Sequence, residues 1–182
     1  MTYYITAWTT TGQITGTGFT PDGTIPQGAV VCTEAQAKNP PQYVVDTSTT
    51  PPTVISAPSA ILLAQAKASQ IILLQSAFQQ AEQAPVSLTL TSGVTTSFGM
   101  TPHDWTKIVG LYSKYVAKGV TVPSGYQIPD VNGVLQAVTV TDIENMLDAG
   151  EAQMTGAISK LASLVGQVES ATTVSAVQAI VF

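Results

Sequence analysis

The sequence predicts an α+β protein built from a small N-terminal β module, a long connecting helix and a C-terminal domain of helices with short β-hairpins. Residues 1–57 carry β-branched and aromatic runs separated by glycine and proline turns. Residues 59–83 contain neither glycine nor proline and are rich in alanine, glutamine, leucine and isoleucine. Beyond them, hairpin patterns alternate with amphipathic segments, so we expect boundaries at 1–57, 58–84 and 85–182.

The N-terminal module combines short extended segments with strong turn signals. We expect five short strands, at residues 3–8, 13–17, 30–32, 43–46 and 53–55. Gly12 closes the first hairpin, and Pro21-Asp22-Gly23 predicts a turn because proline presets φ and glycine accepts a positive φ. Thr33 to Gln36 predict a single helical turn between the third and fourth strands.

The glycine-free run at 59–83 predicts one helix of about 37 Å. Its apolar stripe consists of Ala60, Leu63, Ala64, Ile71, Leu74, Ala77, Phe78 and Ala81. Lys67 interrupts this stripe, which is broad and rich in alanine, so a plain helix and a coiled-coil stalk both remain open. Glutamines, serines and Lys67 are frequent enough in the run that we do not expect it to span a membrane.

The C-terminal domain begins with an alternating segment that turns at Ser92-Gly93, which indicates a β-hairpin. A helix should follow, with Thr101 as N-cap and Pro102 at the first position, and it should end at Gly119. Asn132-Gly133 is typical of a second tight hairpin.

The final third predicts a long helix and then a short one. Thr141-Asp142-Ile143-Glu144 has the pattern of a capping box, and the helix should run to about Glu169. Its expected apolar stripe is Ile143, Met146, Leu147, Met154, Ile158, Leu161, Leu164 and Val168. We expect Gly150, Gly156 and Gly166 to weaken this helix. Either Thr172 or Thr173 caps the last helix, and the apolar ending at Phe182 should be docked.

Charge is scarce in this chain. Only 9% of its 182 residues are charged, whereas ordinary soluble domains have roughly 25%. The net charge is −5, and the basic residues are Lys38, Lys67, Lys107, Lys114, Lys118 and Lys160, with no arginine. Because nucleic-acid binding relies on dense basic patches and guanidinium forks, we expect no nucleic-acid partner. A surface of neutral hydroxyls and amides suits a protein that stays in contact with neighbours.

Cysteine usage and the N-terminus bear on compartment. Cys32 is the single cysteine, so neither an intramolecular disulfide nor a four-ligand Cys/His zinc site is expected. The first residues lack the basic and apolar regions of a secretory signal. We therefore expect a soluble protein made in a cytoplasm.

The nucleophile and base candidates are few. His103, the single histidine, neighbours Asp104, but it lies in the first turn of a predicted helix and no G-x-S-x-G elbow is present, so a structural or solvent-exposed role is favoured. Cys32 follows an apolar run without a cationic neighbour, which predicts a buried, unreactive thiol.

Other candidate sites also have simpler structural explanations. The carboxylates of Asp142, Glu144, Asp148 and Glu151 cluster near one helix start, and the helix dipole already favours Asp142 and Glu144. Asp148 and Glu151 lie one turn apart, but without a histidine and with few carboxylates nearby they do not predict a metal site. A glycosidase pair is not excluded, because the separation of two carboxylates cannot be derived from sequence.

The glycines and aromatics of the first strands are the remaining candidates. Gly12, Gly16 and Gly18 match no phosphate-binding pattern and are interpreted as turn glycines. Tyr3, Tyr4 and Trp8 have the rings that stack on sugars or bases, but as strand residues they are expected in the core. We thus predict no catalytic, cofactor or metal residues and no enzymatic activity.

The order of segments from about Ile61 to Phe182 resembles a domain of unknown function found at the C-termini of phage tail-fibre and tail-fibre assembly-like proteins. Four features carry the resemblance: the Ala/Gln-rich helix, the segment from Ser97 to Trp105, the segment from Ile128 to Val134, and the ending from Val168 to Ile180. The Ala-Thr-Thr of that ending, followed by Val-Gln-Ala-Ile, is the most specific feature. The first strands resemble the small β modules that precede this domain.

The resemblance implies a structural component of a bacteriophage tail, either part of a fibre or a hinge between fibre and baseplate, located in the virion. Its partners would be other tail, fibre or baseplate proteins and further copies of itself, a trimer among the options, with no membrane insertion and no cofactor. Two alternatives stay open: a tail-fibre assembly chaperone and a carbohydrate- or receptor-binding module. The family carries no catalytic residue onto this chain.

Overall fold

A computed structural model describes residues 1–182 and has the α+β architecture that the sequence predicts. The chain forms two compact units. One unit contains Met1–Ser69 and Ala171–Ala179, and the other contains Gln70–Ser170 and Ile180–Phe182.

The first unit is centred on a three-stranded antiparallel sheet of β1 (Thr2–Trp8), β2 (Ile14–Thr20) and β3 (Val30–Cys32), in the order β2-β1-β3. Ile5 of β1 is fully buried, and it clusters with Val30 and with Val45 of the next strand pair. The predicted hairpin between the first two strands is confirmed, with a bulge in its register near Ala7.

A second strand pair completes this unit. β4 (Tyr43–Asp46) and β5 (Thr53–Ser56) are antiparallel, and the predicted helical turn is α1 (Glu34–Lys38), capped by Thr33. A 3-10 turn, Pro40–Gln42, leads into β4. The amide of Val45 donates to the Gly12 carbonyl at 2.8 Å, which links the β1–β2 turn to β4. Gly12 has φ +82°, and a Cβ there would lie 2.4 Å from the Val45 carbonyl oxygen, so the contact requires glycine.

The long helix α2 (Ser59–Glu82) has the predicted bounds within one residue. Residues up to Ser69 belong to the first unit and those from Gln70 onward to the second. In the second unit Leu74 is buried, whereas Ile72 and Leu73 are 66% and 61% exposed. Aliphatic side chains therefore occupy opposite sides of this helix, and the predicted single stripe describes only one of them.

Two β-hairpins lie in the second unit after α2. The first pairs β6 (Val86–Thr89) with β7 (Thr95–Phe98), and the second pairs β8 (Gln127–Pro129) with β9 (Leu135–Ala137). Gly93 and Gly133 occupy their turns with positive φ, as the sequence predicts.

Between the hairpins lies α3 (Pro102–Leu111), capped by the Thr101 hydroxyl as predicted. The chain continues as a π-helical segment, Tyr112–Ala117, in which the Lys118 amide donates to the Ser113 carbonyl at 3.2 Å. This wider turn was not expected from the sequence. It accompanies the burial of Tyr115, whose ring lies 5.6 Å from the ring of Tyr126.

The helix α4 (Val140–Ser170) starts earlier than the predicted Thr141 cap. The Asp142 amide donates to the Thr139 hydroxyl, and the Thr139 amide donates to the Asp142 carboxylate at 2.8 Å. The capping box is therefore Thr139–Asp142, and the prediction of Thr141–Glu144 is wrong. Two overlapping Thr-x-x-acid patterns are present, and Asp142 is fixed in the first because Thr91 also binds its carboxylate.

The inward face of α4 follows a different line from the predicted stripe. Met154 and Ile158 are 37% and 52% exposed, while Ala157 is buried and Gln153 is half-buried. The inward positions are Ile143, Met146, Gly150, Gln153, Ala157, Leu161, Leu164 and Val168. Three of these inward positions are small or polar residues. A stripe chosen by hydropathy therefore selects Met154 and Ile158, each one residue after an inward position.

The last helix, α5 (Val174–Gln178), is capped by Thr173, one of the two predicted residues, and its Val177 is fully buried. The final residues contact the second unit, as predicted for an apolar ending. The Gln70 side-chain amide donates to the Ile180 carbonyl at 2.6 Å, and the Lys160 ammonium lies 4.6 Å from the centre of the Phe182 ring.

The core of the second unit requires a close approach at Gly150. A Cβ at this position would lie 2.4 Å from the Trp105 ring of α3 and 3.1 Å from the Met100 sulfur. Gly156 and Gly166 have open space around the same position. The sequence interpretation that all three glycines merely weaken α4 is thus wrong for Gly150, which makes room for Trp105.

We predict opposite effects for alanine at these glycines. Gly156→Ala and Gly166→Ala should each stabilise the protein by up to about 1 kcal/mol, because the helix loses a glycine and nothing is displaced. Gly150→Ala should destabilise it by about 1–2 kcal/mol, because the added methyl overpacks the core. Urea unfolding followed by circular dichroism measures all three, and stabilisation by Gly150→Ala would contradict the packing described here.

Candidate interaction surface

The candidate base His103 and the candidate nucleophile Cys32 belong to different units of the chain. His103 is exposed in the first turn of α3, and Asp104 beside it accepts a hydrogen bond from the Thr101 hydroxyl at 2.6 Å. Cys32 is half-buried in β3, and its burial raises the pKa of the thiol. A raised pKa lowers the thiolate fraction at neutral pH. The sequence predicts a buried thiol, whereas Cys32 is partly exposed.

The glycines considered for phosphate binding have structural roles. Gly12 lies in the β1–β2 turn, as predicted. Gly16 and Gly18 are within strand β2, so their interpretation as turn glycines is wrong. The Tyr4 ring lies over Gly18, where a Cβ would come within 2.6 Å of the ring, and a Cβ at Gly16 would lie 2.9 Å from the Thr6 hydroxyl.

The aromatic candidates are only half-buried. Tyr3 and Tyr4 lie in β1, and Tyr3 packs against Phe19 with ring centres 6.1 Å apart. Trp8 contacts the cluster around Ile5 and also borders an open cleft of about 490 Å³. The other residues bordering this cleft are Gly28, Ala29, Val30, Val31, Gln36, Pro51, Pro52, Thr53 and Val54.

The four acidic residues in the first half of α4 do not converge. No group of three or more histidine, cysteine, aspartate or glutamate side chains is placed to hold a metal ion. Asp148 and Glu151 are exposed, and Glu144 is half-buried. Asp142 is the exception, with 1% exposure, and its surroundings are unlike those of the other three.

Asp142 joins α4 to the β6–β7 hairpin. Its carboxylate accepts hydrogen bonds from the amide and hydroxyl of Thr91 at 2.7 and 2.8 Å, and from the amide and hydroxyl of Thr139 at 2.8 and 2.8 Å. Burial acts to raise the pKa of Asp142, but these four donors outweigh it and hold the pKa below its usual value. The carboxylate is therefore a structural junction, which sequence reasoning assigned only to the helix dipole.

A second carboxylate, Asp130, joins the two hairpins. It accepts the Thr96 hydroxyl of β7 at 2.8 Å, the Gln136 side-chain amide at 3.1 Å, and the amides of Asn132 and Val134 at 2.9 and 3.0 Å. The Thr96 hydroxyl is the main cause of a lowered pKa at Asp130. Both internal carboxylates are thus saturated by hydrogen-bond donors.

Several aliphatic side chains of the second unit are exposed. Ile72 and Leu73 are consecutive on α2 and both more than half exposed, and Ile158 of α4 is 52% exposed. Val134 and Leu135 of the β8–β9 hairpin are exposed at 54% and 59%. Single exposed aliphatic residues are common on proteins, whereas contiguous apolar patches mark contact sites, and Ile72 and Leu73 are two such residues in succession.

Helix α2 is more apolar than its glutamines, its serines and Lys67 predict. By length and composition it is apolar enough to cross a membrane, and 11% of its most apolar window is buried. The glutamines and serines that interrupt it are uncharged, and the isoleucines and leucines at 71–74 outweigh them. Its composition alone therefore does not rule out lipid contact.

Comparisons of the chain with protein-family models, with curated proteins and with solved structures found no match. The function is therefore inferred from the chemistry and geometry of the chain itself.

We predict that Asp142→Asn destabilises the protein by about 2–3 kcal/mol, because an amide cannot accept from all four donors and loses the charge. Glu144→Gln, two residues away, is the matched control and should change the unfolding free energy by less than about 0.5 kcal/mol. Chemical unfolding at neutral pH measures both, and equal effects would contradict the junction.

The pH dependence gives an independent check. A carboxylate whose folded pKa lies below its unfolded value, about 3.9, stabilises the protein above that pH and loses its contribution as pH falls through the folded pKa. The stability gap between the wild-type protein and Asp142→Asn should therefore narrow below about pH 4. A gap that is constant with pH would show that the charge at Asp142 is not what stabilises the fold.

Proposed function

We propose that this protein is a non-catalytic structural component of a bacteriophage tail, part of a fibre or of a fibre-to-baseplate hinge. It acts by burying aliphatic side chains against other tail proteins or against further copies of itself. The single observation that carries the packing role is the exposed pair Ile72–Leu73 on the long helix α2. The assignment to a phage tail rests on the resemblance in segment order along residues 61–182.

The scarcity of charge supports the same role. With 9% charged residues, the surface has little electrostatic protection against association. The internal carboxylates Asp130 and Asp142 are used to hold the fold together, so they contribute little to solubility. A chain of this kind suits a permanent neighbour better than a freely diffusing enzyme.

A tail-fibre assembly chaperone is the first alternative, since such a protein would use the same aliphatic surface transiently. A carbohydrate- or receptor-binding module is the second, and the cleft beside Trp8 is the observation that favours it. Its indole ring and the prolines Pro51 and Pro52 border the cleft, and aromatic rings of this kind stack on sugar faces. A glycan array with Trp8→Ala as control tests this second alternative.

Quantitative peptide mass spectrometry on purified phage particles from the source of this sequence tests the proposal. The proposal predicts a fixed copy number comparable to that of known tail proteins. Absence from particles, together with abundance in the infected lysate, would contradict it and favour the chaperone.

Two double variants with the same added charge test the surface itself. Ile72→Lys with Leu73→Lys should lower the copy number in particles, because two charges would be desolvated on packing. Ser163→Lys with Gln167→Lys adds the same charge at exposed polar positions of α4, away from the exposed face of α2, and should leave the copy number unchanged. Both should alter the unfolding free energy by no more than about 0.5 kcal/mol per site, since all four positions are exposed. Equal incorporation of the two variants would contradict the role of Ile72 and Leu73.

Vesicle flotation separates protein contact from lipid contact at α2. The proposal predicts that the wild-type chain stays with the soluble fraction in the presence of anionic and of neutral vesicles. The proposal would be contradicted if the wild-type chain floated with vesicles and the Ile72→Lys, Leu73→Lys variant did not, because Ile72 and Leu73 would then bind lipid.

A further inference from the structure

The second unit also has a cleft of about 380 Å³ between helix α3 and strand β8. One face of α3 forms its first wall, through residues spaced i, i+3, i+4 and i+7, namely Asp104, Lys107, Ile108 and Leu111. All three residues of β8, Gln127–Pro129, form the second wall. Successive side chains of a strand point to opposite faces, so a cleft that borders all three runs along the backbone edge of β8.

The register of the β8–β9 hairpin identifies which backbone groups lie on that edge. The Val138 amide donates to the Tyr126 carbonyl, and the Asp130 amide donates to the Val134 carbonyl. Hydrogen-bonded pairs alternate along an antiparallel ladder, so Ile128 is bonded to Gln136 while Gln127 and Pro129 face away from β9. The free edge therefore presents the amide and carbonyl of Gln127 and the carbonyl of Pro129.

These groups have no partner within the chain. The sheet contains only β8 and β9, and no hydrogen bond from another segment reaches the backbone of Gln127 or Pro129. The unpaired stretch ends at Pro129, because the next amide on this edge, that of Val131, donates to the Ser97 carbonyl of β7 at 3.0 Å. An unpaired strand edge beside a helix offers main-chain hydrogen bonds to an extended segment and side-chain pockets to every second residue of it.

The walls of the cleft indicate the chemistry of such a segment. Phe98, Ile108 and Ile128 border it and belong to or pack on the core of the unit, so they form an apolar and fixed floor. Lys107 is exposed and forms no ion pair in the chain. Asp104 lies one helical turn before Lys107, and its carboxylate accepts a hydrogen bond from Thr101 and lies against Gly99. A carboxylate on the occupant is complementary to Lys107, at the end away from Asp104.

We propose that this cleft binds an extended peptide segment of a partner protein, which adds to β8 as a third strand. The segment has apolar side chains at alternate positions towards Phe98 and Ile108, and a carboxylate facing Lys107. The proposal does not depend on the phage-tail role, since it follows from the free edge of β8 and the walls of the cleft.

The experiment is a titration of the ¹⁵N-labelled full chain, with amide shifts as the readout. The probe is an acetylated Thr-Val-Thr-Val-Thr peptide with a free C-terminal carboxylate, added up to about 1 mM. The expected result is saturable shifts at Gln127 and at the α3 residues bordering the cleft. N-methylation of the probe at one alternate set of amides should abolish binding, while methylation of the other set should not, because only one set faces β8.

Two proline variants test the edge in the protein. Gln127→Pro removes the one amide donor on the free edge without touching the β8–β9 hydrogen bonds, and it should weaken binding by about tenfold. Ala137→Pro makes the same change at the opposite position of β9, which does not border the cleft, and should leave the affinity unchanged. Lys107→Gln should remove the preference for the free carboxylate over the C-terminal amide.

Three results would overturn the proposal. The first is the absence of saturable shifts at the cleft, and the second is binding that is insensitive to N-methylation, which would indicate apolar contact without strand addition. The third is a Gln127 shift that follows protein concentration instead of peptide, which would indicate that a second copy occupies the edge. The N-methylated probes use the wild-type chain, so the test holds even where a proline variant fails to fold.

Discussion

The β6–β7 hairpin is held in its unit by two internal carboxylates, and the surfaces of that unit depend on them. Asp142 binds the hairpin turn at Thr91 to the start of α4, and Asp130 binds β7 at Thr96 to the second hairpin. Each carboxylate is saturated by neutral donors, so its charge is stabilised without a cationic partner. The hydrophobic effect is non-directional, so it does not decide which segments pair. In this chain, which has few charges, two carboxylates fix these pairings through directional hydrogen bonds.

The local elements were predictable because their signals are local. Glycines, prolines and side-chain oxygens within a few residues determine these elements. They are the turns at Gly93 and Gly133, the caps at Thr101 and Thr173, and the bounds of α2. Contacts between distant segments left no such signal. Thr91 and Asp142 are separated by 51 residues, and their contact decides between two equally good capping patterns.

The inward line of α4 shows the same limit in another form. Gly150 faces inward because the Trp105 ring needs the space, and Ala157 is buried. Gln153 faces inward because its side-chain amide donates to carbonyls around the end of α2, that of Ala84 at 2.7 Å. Hydropathy ranks these residues below Met154 and Ile158, which the fold leaves exposed. Close packing therefore selects the small residues for burial, although hydropathy predicts burial of Met154 and Ile158, and these two aliphatic side chains stay exposed.

The central functional claim is that the aliphatic side of α2 becomes buried when the protein takes its place among other tail proteins. Thiol labelling measures this directly, with Leu73→Cys on α2 or Ser163→Cys on α4 introduced after Cys32→Ser removes the native cysteine. The account predicts fast labelling of both cysteines in the free chain, and strongly slowed labelling of Leu73→Cys alone in particles. Equal labelling of the two cysteines in particles would contradict it.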